Sequence, residues 1–482
     1  MGRGMKKLFI VCAVSLIFPC IALAGTLPDT GQTKCYDNTQ EIPCPNPGEP
    51  FYGQDAQYIT NPHSYTKLDE NGYDLPVEAT EWVMVRDNLT GLIWEVKQDK
   101  DDVQNYNNPH DADNTYTWFN GVTGIPGDGT DSEDFIDTLN NTFFGSYSDW
   151  RLPTMKEFPP IVNRDNFYPS ITIGYFPHTK SANYWTSTIN VVGTNSVWIN
   201  DFSSGLGVRL PVLFVSFFVR AVRGETVIKN FIDNGDGTIS DTTTGLMWEQ
   251  KTDDGGIQDK DSTFTWEEAL AYCENLLSAG YNDWRLPNIN ELQSIVDYEH
   301  AVPAIDILYF PNTMLTAYWS ATTRGSTVYS AWGVNSGYGN VSSRDKPTLY
   351  HVRAVRGGLC GLSGDSDGDT VCGDTDNCPN TSNQDQEDTY PPQGNNIGDA
   401  CDCESDFNCD GNVDAIDVDS FLTDFGRNQF NDPCTSVNPC NGDINCDVNV
   451  DATDVTKFLE DFGRNQFNNP CPTCVVGDWC VY

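Results

Sequence analysis

Two stretches, DFNCDGNVDAIDVDSFLTDFGRNQFNDPC from Asp406 and DINCDVNVDATDVTKFLEDFGRNQFNNPC from Asp443, repeat at a period of 37 residues and set out oxygen-bearing side chains at regular intervals. Calcium binds about 6 to 8 oxygens, and a loop of about twelve residues supplies them from positions 1, 3, 5, 7, 9 and 12, position 7 through its backbone carbonyl. In the first loop these are Asp406, Asn408, Asp410, Asn412, Asp414 and Asp417, with Gly411 at the sharp turn of position 6. In the second they are Asp443, Asn445, Asp447, Asn449, Asp451 and Asp454, with Val448 in place of the glycine. A β-branched residue disfavours the positive φ of a tight turn, so the second site is expected to be weaker or distorted.

The elements that must hold these loops follow directly. An apolar stripe at helical spacing comes after each, Val418, Phe421, Leu422 and Phe425, then Val455, Phe458, Leu459 and Phe462, with Gly426 and Gly463 as helix stops. Each unit is a loop followed by one helix, with no entering helix and with aspartate rather than glutamate at position 12. The pattern resembles the dockerin duplicated calcium module. That resemblance implies Ca2+ as the bound ion and a cohesin-like partner docked through positions 10 and 11, here Ala415 with Ile416 and Ala452 with Thr453. These are not the polar pairs of the best-known dockerins, so calcium binding carries over better than cohesin binding. Just upstream, residues 359–402 resemble a thrombospondin type-3 calcium repeat through Asp365, Asp367, Asp369, Asp374, Asp376 and the following Asn377-Cys378-Pro379, with Asp399 and Asp402 flanking Cys401. The resemblance implies further calcium ions wrapped by a segment with almost no apolar core.

Composition points outside the cell. From Cys360 onward the chain holds 25 acidic and 3 basic residues, about half of the net charge of −42, which makes nucleic acid and anionic membranes poor partners. Arg3, Lys6 and Lys7, the apolar run Leu8 to Phe18 and Ala22-Leu23-Ala24 read as a secretory signal over 1–24, with a lipoprotein anchor at Cys20 as the competing reading. No later apolar run is long enough to cross a bilayer. Of the 17 cysteines, 12 lie in the tail, where Cys403, Cys409 and Cys434 recur as Cys440, Cys446 and Cys471, so disulfides are expected to stand in for a small core there. In the lead segment 25–75, Cys35 and Cys44 have no other cysteine nearby and are expected to pair.

The remainder is a second, larger duplication. TGLIWE from Thr90 returns as TGLMWE from Thr244, YSDWRLPTMKE from Tyr147 as YNDWRLPNINE from Tyr281, Tyr184-Trp185 as Tyr318-Trp319, and VRAVRG from Val219 again from Val352. These are two copies of one domain, 76–225 and 226–358, each long enough for its own core. In the second copy Thr265 and Glu268 form a capping box for a helix whose apolar stripe is Trp266, Ala269, Leu270, Cys273 and Leu277, with Gly280 as its stop. Asn288 with Glu291 opens a short helix through Val296, which Pro159 and Pro160 should shorten or remove in the first copy. Elsewhere alternation, aromatic runs and turns such as Asn234-Gly235-Asp236-Gly237 predict strands and hairpins, and the class is α+β. The ordered blocks resemble the Lcl C-terminal domain family, named for a collagen-like bacterial surface adhesin. WRLP with a following glutamate and the closing VRAVRG also resemble the C-type-lectin-like fold of formylglycine-generating and related domains. Together these imply two tandem lectin-like lobes ahead of a disulfide-rich, calcium-stabilised tail with two short helices.

No catalytic constellation accompanies these blocks. Cys273, the one cysteine of the lobes, sits on an apolar stripe and reads as core, and the five histidines have no ligand spacing. Arg151, Arg285, Arg220, Arg223, Arg353 and Arg356 are open to two readings, facing a ligand or holding strand ends. The expectation is a non-enzymatic, secreted or surface-displayed calcium-binding protein whose lobes recognise an extracellular polysaccharide or protein. The alternatives are a dockerin-bearing component of a polysaccharide-degrading assembly and an enzyme related to the formylglycine-generating domains.

Overall fold

The computed structural model describes residues 27–59, 61–119, 129–193, 195–212, 215–225 and 230–357, and in the tail 376–378, 381, 383, 386, 398, 401, 405–407, 412–434, 440, 442–444 and 447–463. Residues 1–24, read above as a secretory signal, and Cys403, Cys409, Cys446, Cys471, Cys474 and Cys480 lie outside the described residues. Among those described the protein is mainly β-sheet, with five α-helices: α1 (Ser132–Asn141), α2 (Trp266–Glu274), α3 (Ile289–Ser294), α4 (Ala415–Asp424) and α5 (Ala452–Asp461).

Each copy builds the same four-stranded antiparallel sheet. In the first the strand order is Val222–Arg223, Ile93–Glu95, Met84–Asp87, Tyr65–Leu68, so the lead segment supplies one edge. In the second the order is Phe231–Asp233, Thr238–Asp241, Leu246–Glu249, Val355–Gly357. The repeated blocks fall in equivalent register, Trp94 opposite Val222 and Trp248 opposite Val355. The Asn234-to-Gly237 run is the hairpin turn between Phe231–Asp233 and Thr238–Asp241, with Gly235 and Gly237 at φ of 75° and 91°.

A second sheet joins the copies. Each contributes three antiparallel strands, Asn183–Ile189, Ser196–Asp201 and Leu206–Pro211 from the first, Ala317–Thr323, Ser330–Asn335 and Asn340–Asp345 from the second. The equivalent strands Leu206–Pro211 and Asn340–Asp345 lie side by side and antiparallel, Val341 opposite Gly207, closing a six-stranded sheet with like strands at its centre. Antiparallel pairing of equivalent strands gives the two copies an approximate two-fold relation. It also removes an exposed strand edge from each. Met155 and Trp198 of the first copy are buried in one core with Trp248, Leu292, Phe310 and Trp332 of the second.

The lead segment straps both copies. The Cys35–Cys44 disulfide forms as expected. Gln32 exchanges two hydrogen bonds with the backbone of Thr323, Lys346 Nζ donates to the Asp37 carbonyl at 2.8 Å, and on the other copy Thr33 N–H donates to Asp165 at 2.9 Å.

Helix boundaries follow their caps more closely than their stripes. The Thr265–Glu268 and Asn288–Glu291 capping boxes both form. In the first copy Pro159–Ile161 makes only a 3-10 turn where α3 would lie. α2 stops at Glu274, well short of Gly280, because the Asn275 side chain donates to the Ala271 carbonyl at 2.7 Å and turns the chain. Leu276 is buried in consequence, and Leu277, expected on the stripe, is exposed.

The tail units pack about their own two-fold. Gly426 N–H donates to the Val450 carbonyl and Gly463 N–H to the Val413 carbonyl, the same bond one repeat apart. Phe407, Val413, Phe421, Ile444, Val450 and Phe458 form the core between them, with the Cys434–Cys440 disulfide bridging the units. Leu422, Phe425, Leu459 and Phe462, expected on the buried stripe, are exposed, since only one face of each helix meets its twin.

Candidate functional site

The repeated arginines hold the fold. Arg285 grips Glu291 with both guanidinium arms at 2.7 and 2.6 Å and also donates to the Gly357 carbonyl. Arg151 does the same with Glu157 and the Gly224 carbonyl. The buried Arg220 donates to the Glu95 carbonyl and Thr179, and Arg353 to the Glu249 carbonyl and Thr313. Arg223 pairs with Asp149 and Arg356 with Asp283. DWRLP, the glutamate after it and the last arginine of VRAVRG therefore satisfy one another's charges, while the first arginine of VRAVRG is spent on backbone carbonyls and a threonine. Glu95, fully buried, would rise through burial alone, but Lys97 and His110 hold it down at about 2. Cys273 is buried and free, and burial pushes its thiol well above the ordinary range, which makes it an inert core residue.

In the tail, Asp365, Asp367, Asp369, Asp374, Asn408, Asp410 and Asn445 lie outside the described residues. The described members keep one pattern in both loops. Position 12 accepts two backbone amides: Phe407 and Asp414 donate to Asp417 at 3.0 and 2.9 Å, and Ile444 and Asp451 donate to Asp454 at 3.0 and 2.8 Å. Asp414 and Asp451 cap α4 and α5. Asp443 accepts the amides of Asp447 and Val448, both at 2.9 Å, folding the loop around its own first carboxylate. Val448 adopts a φ of 68°, the left-handed conformation that position 6 demands and that its branched side chain opposes. Asn449 turns its side chain towards Asp447. Asp406, Asp417, Asp443 and Asp454 are all buried. Asp376 accepts from Cys378 N–H at 2.7 Å through Oδ1, while its buried Oδ2 has no hydrogen-bond partner among the described residues. Among the described residues no three acidic, histidine or cysteine side chains gather tightly enough to hold a metal ion. The turn geometry, the buried position-12 carboxylates and the unpartnered Asp376 oxygen nonetheless fit a hard cation with oxygen ligands.

A cleft of about 580 Å³ opens between the two copies. The first copy lines it with Thr90, Leu92 and the turn Thr154 to Pro160, the second with Asp241 to Thr244 and with Asn290 and Gln293 on α3. These are the same two sequence blocks taken from each copy, facing across the approximate two-fold. No single block signals such a site, because it exists only where the copies meet. Its volume lies in the range of small-ligand sites.

Fold and cleft define a duplicated β-protein with an approximate internal two-fold, carried ahead of an acidic tail of loop-helix units. The chain belongs to the Lcl C-terminal domain family, whose model matches residues 83–223 and 237–356, more than half of its length. No curated protein matches the chain.

Proposed function

We propose that this is a secreted or surface-displayed, non-enzymatic calcium-binding protein whose tandem lobes, lectin-like in fold, recognise an extracellular carbohydrate. One observation carries the calcium reading: both loops tie the position-12 aspartate to the amides of positions 2 and 9, and the second keeps the left-handed turn at position 6 with a valine there. Such strain persists where the surroundings over-determine it, and a dehydrated ion held by loop oxygens is a sufficient cause. On this reading Asp406, Asn408, Asp410, Asn412, Asp414 and Asp417, with their counterparts in the second loop, hold Ca2+, and Asp376 belongs to a thrombospondin type-3-like site upstream.

The lobes' membership in the Lcl C-terminal domain family supports recognition rather than catalysis. So does the pairing of each repeated arginine with partners inside the protein, which spends these cations on holding the fold. Calorimetric titration of the mature chain with calcium, repeated after chelation, tests the first half; no saturable heat would remove it. Binding of the mature chain to a panel of polysaccharides tests the second. A dockerin-like role remains the second reading, favoured by the exposed Ile416, Leu422, Phe425, Leu459 and Phe462 on the tail helices. Tight, calcium-dependent binding to a cohesin domain would support it.

A further inference from the structure

We infer that the turn carrying Phe167 and Tyr168 on the first lobe is a sugar-binding platform, and that it takes a pyranose with a flat C–H face, of the gluco or galacto configuration; this rests on the reading of the lobes as carbohydrate-recognising. Both rings are open to solvent, Phe167 at 48% and Tyr168 at 67% exposure, and they touch, with centroids 5.9 Å apart and planes at 88°. Among the described residues of the lobes, no other two rings in contact are both exposed. A single apolar side chain on a surface needs no explanation. Two large rings at a right angle form a corner, in which a sugar can lay its axial C–H bonds on one ring and its edge against the other. The phenol of Tyr168 adds a donor and an acceptor for sugar hydroxyls.

The backbone beneath the rings is a fixed mount. Tyr168 adopts a φ of 58°, and the turn is tied down by Tyr168 N–H donating to the Ser203 carbonyl at 3.3 Å and Ser170 N–H to the Phe202 carbonyl at 2.7 Å. The second lobe builds the same turn. Val302 has a φ of 57°, its N–H donates to the Gly337 carbonyl at 2.8 Å, and Ala304 N–H donates to the Ser336 carbonyl at 2.7 Å. The blocks from Tyr147 and Tyr184 stand at the same spacing as those from Tyr281 and Tyr318, so Phe167 and Tyr168 answer to Ala301 and Val302. Both lobes therefore own the mount, and the first alone carries the ring pair. A mount that is already ordered spares a ligand the entropy of ordering it.

The polar side of the site differs between the lobes as well. Ser203 and Ser204, half-buried beside the mount, donate their hydroxyls to Asp201 Oδ2 at 2.7 and 3.0 Å. That orientation presents each hydroxyl oxygen as an acceptor, which suits a sugar O–H. Gly337 and Tyr338 stand at these places in the second lobe, and the Tyr338 ring is engaged by the Arg209 guanidinium at 4.4 Å. Ring pair and serine hydroxyls coincide on the first lobe, so one site per chain is expected.

The test uses the full mature chain in calcium. A cello-oligosaccharide and a galacto-oligosaccharide are titrated by calorimetry into the wild type, into the double variant Phe167→Ala with Tyr168→Val, and into Tyr329→Ala. The double variant places on the first lobe the residue types that the second already carries on the same backbone, so folding is not at risk, and a melt confirms it. Tyr329 is an exposed ring on the second lobe. The expected result is saturable binding of one of the two sugars with one site per chain, weakened about tenfold or more in the double variant and unchanged by Tyr329→Ala. If binding survives the double variant, the sugar lies elsewhere on the lobes, and the inference falls while carbohydrate recognition stands. If neither sugar binds but another member of the polysaccharide panel does, the ligand class is wrong and the inference falls. If no carbohydrate binds at all, the reading of the lobes falls with it.

Discussion

Asp55 shows how the lead segment is fastened. Its carboxyl is buried and accepts the hydroxyls of Thr30 and Thr322 at 2.7 and 2.5 Å, one from the strap itself and one from the second lobe. Burial, reinforced by the nearby Asp29 and Glu291, pushes it up from 3.8 to about 7 although the two hydroxyls pull the other way. The native state thus holds a proton that the unfolded chain releases near pH 4. Stability from this group is complete below about pH 4 and is lost as pH rises towards 7. Asp55→Asn keeps both hydroxyl bonds and carries no charge. Relative to wild type its melting temperature should match near pH 4 and stand higher at pH 8, by the equivalent of roughly 2 to 4 kcal/mol; melts across that range check the slope. The repeated arginines make a second residue-scale comparison. Arg285 and Glu291 are 4% and 5% exposed, whereas Arg151 is 32% exposed. Arg285→Met, which leaves Glu291 buried without its partner, should cost about 3 to 5 kcal/mol, and Arg151→Met clearly less. None of this was readable from the residues alone. The sequence flags Arg151 and Arg285 by repetition, but repetition marks a strand lock and a ligand contact alike, and Asp55 lies outside every repeated block.

At the scale of elements, what was legible was local. The two capping boxes, the Cys35–Cys44 loop and the loss of a helix at Pro159-Pro160 each depend on neighbours a few residues apart, and each forms. The end of α2 and the burial of the tail stripes depend on what the helix packs against, and there the 3.6-residue period overreached: Leu277, Leu422 and Leu459 are exposed. Val448 is a local feature whose consequence can be measured. Its left-handed φ of 68° costs about 1 to 2 kcal/mol for a side chain of this kind. Val448→Gly removes the strain at some cost in chain entropy, so the second loop should bind calcium more tightly, up to about tenfold. Calorimetry on the variant would show whether the weaker of two binding events moves towards the stronger. Gly333 in the central sheet carries the opposite constraint. A Cβ there would stand 2.6 Å from the Tyr318 carbonyl oxygen, and backbone cannot step aside as a side-chain tip can. Gly333→Ala should cost about 1 to 3 kcal/mol, read as a lowered unfolding midpoint.

At the scale of the molecule, duplication is used twice in the same way. The lobes join through the like strands Leu206–Pro211 and Asn340–Asp345, and the tail units through the matched bonds of Gly426 and Gly463. The sequence declares both duplications and is silent on both seams, because pairing between copies leaves no periodic trace in either. The cleft inherits that silence: Asp241 and Asn290 belong to one copy, and the wall opposite them to the other. The seams also divide the stability of the chain. Met155 and Trp198 are shared into the second copy's core, so the lobes should unfold together, while the core around Phe421 and Phe458 is made of tail residues alone. Differential scanning calorimetry should therefore resolve two transitions. Chelation should lower or abolish the tail transition, since binding to the native form stabilises it by mass action, and should leave the lobe transition in place. Two separate lobe transitions would mean that the shared sheet does not couple the copies, and a cleft whose walls are built by both could not then be held in one shape.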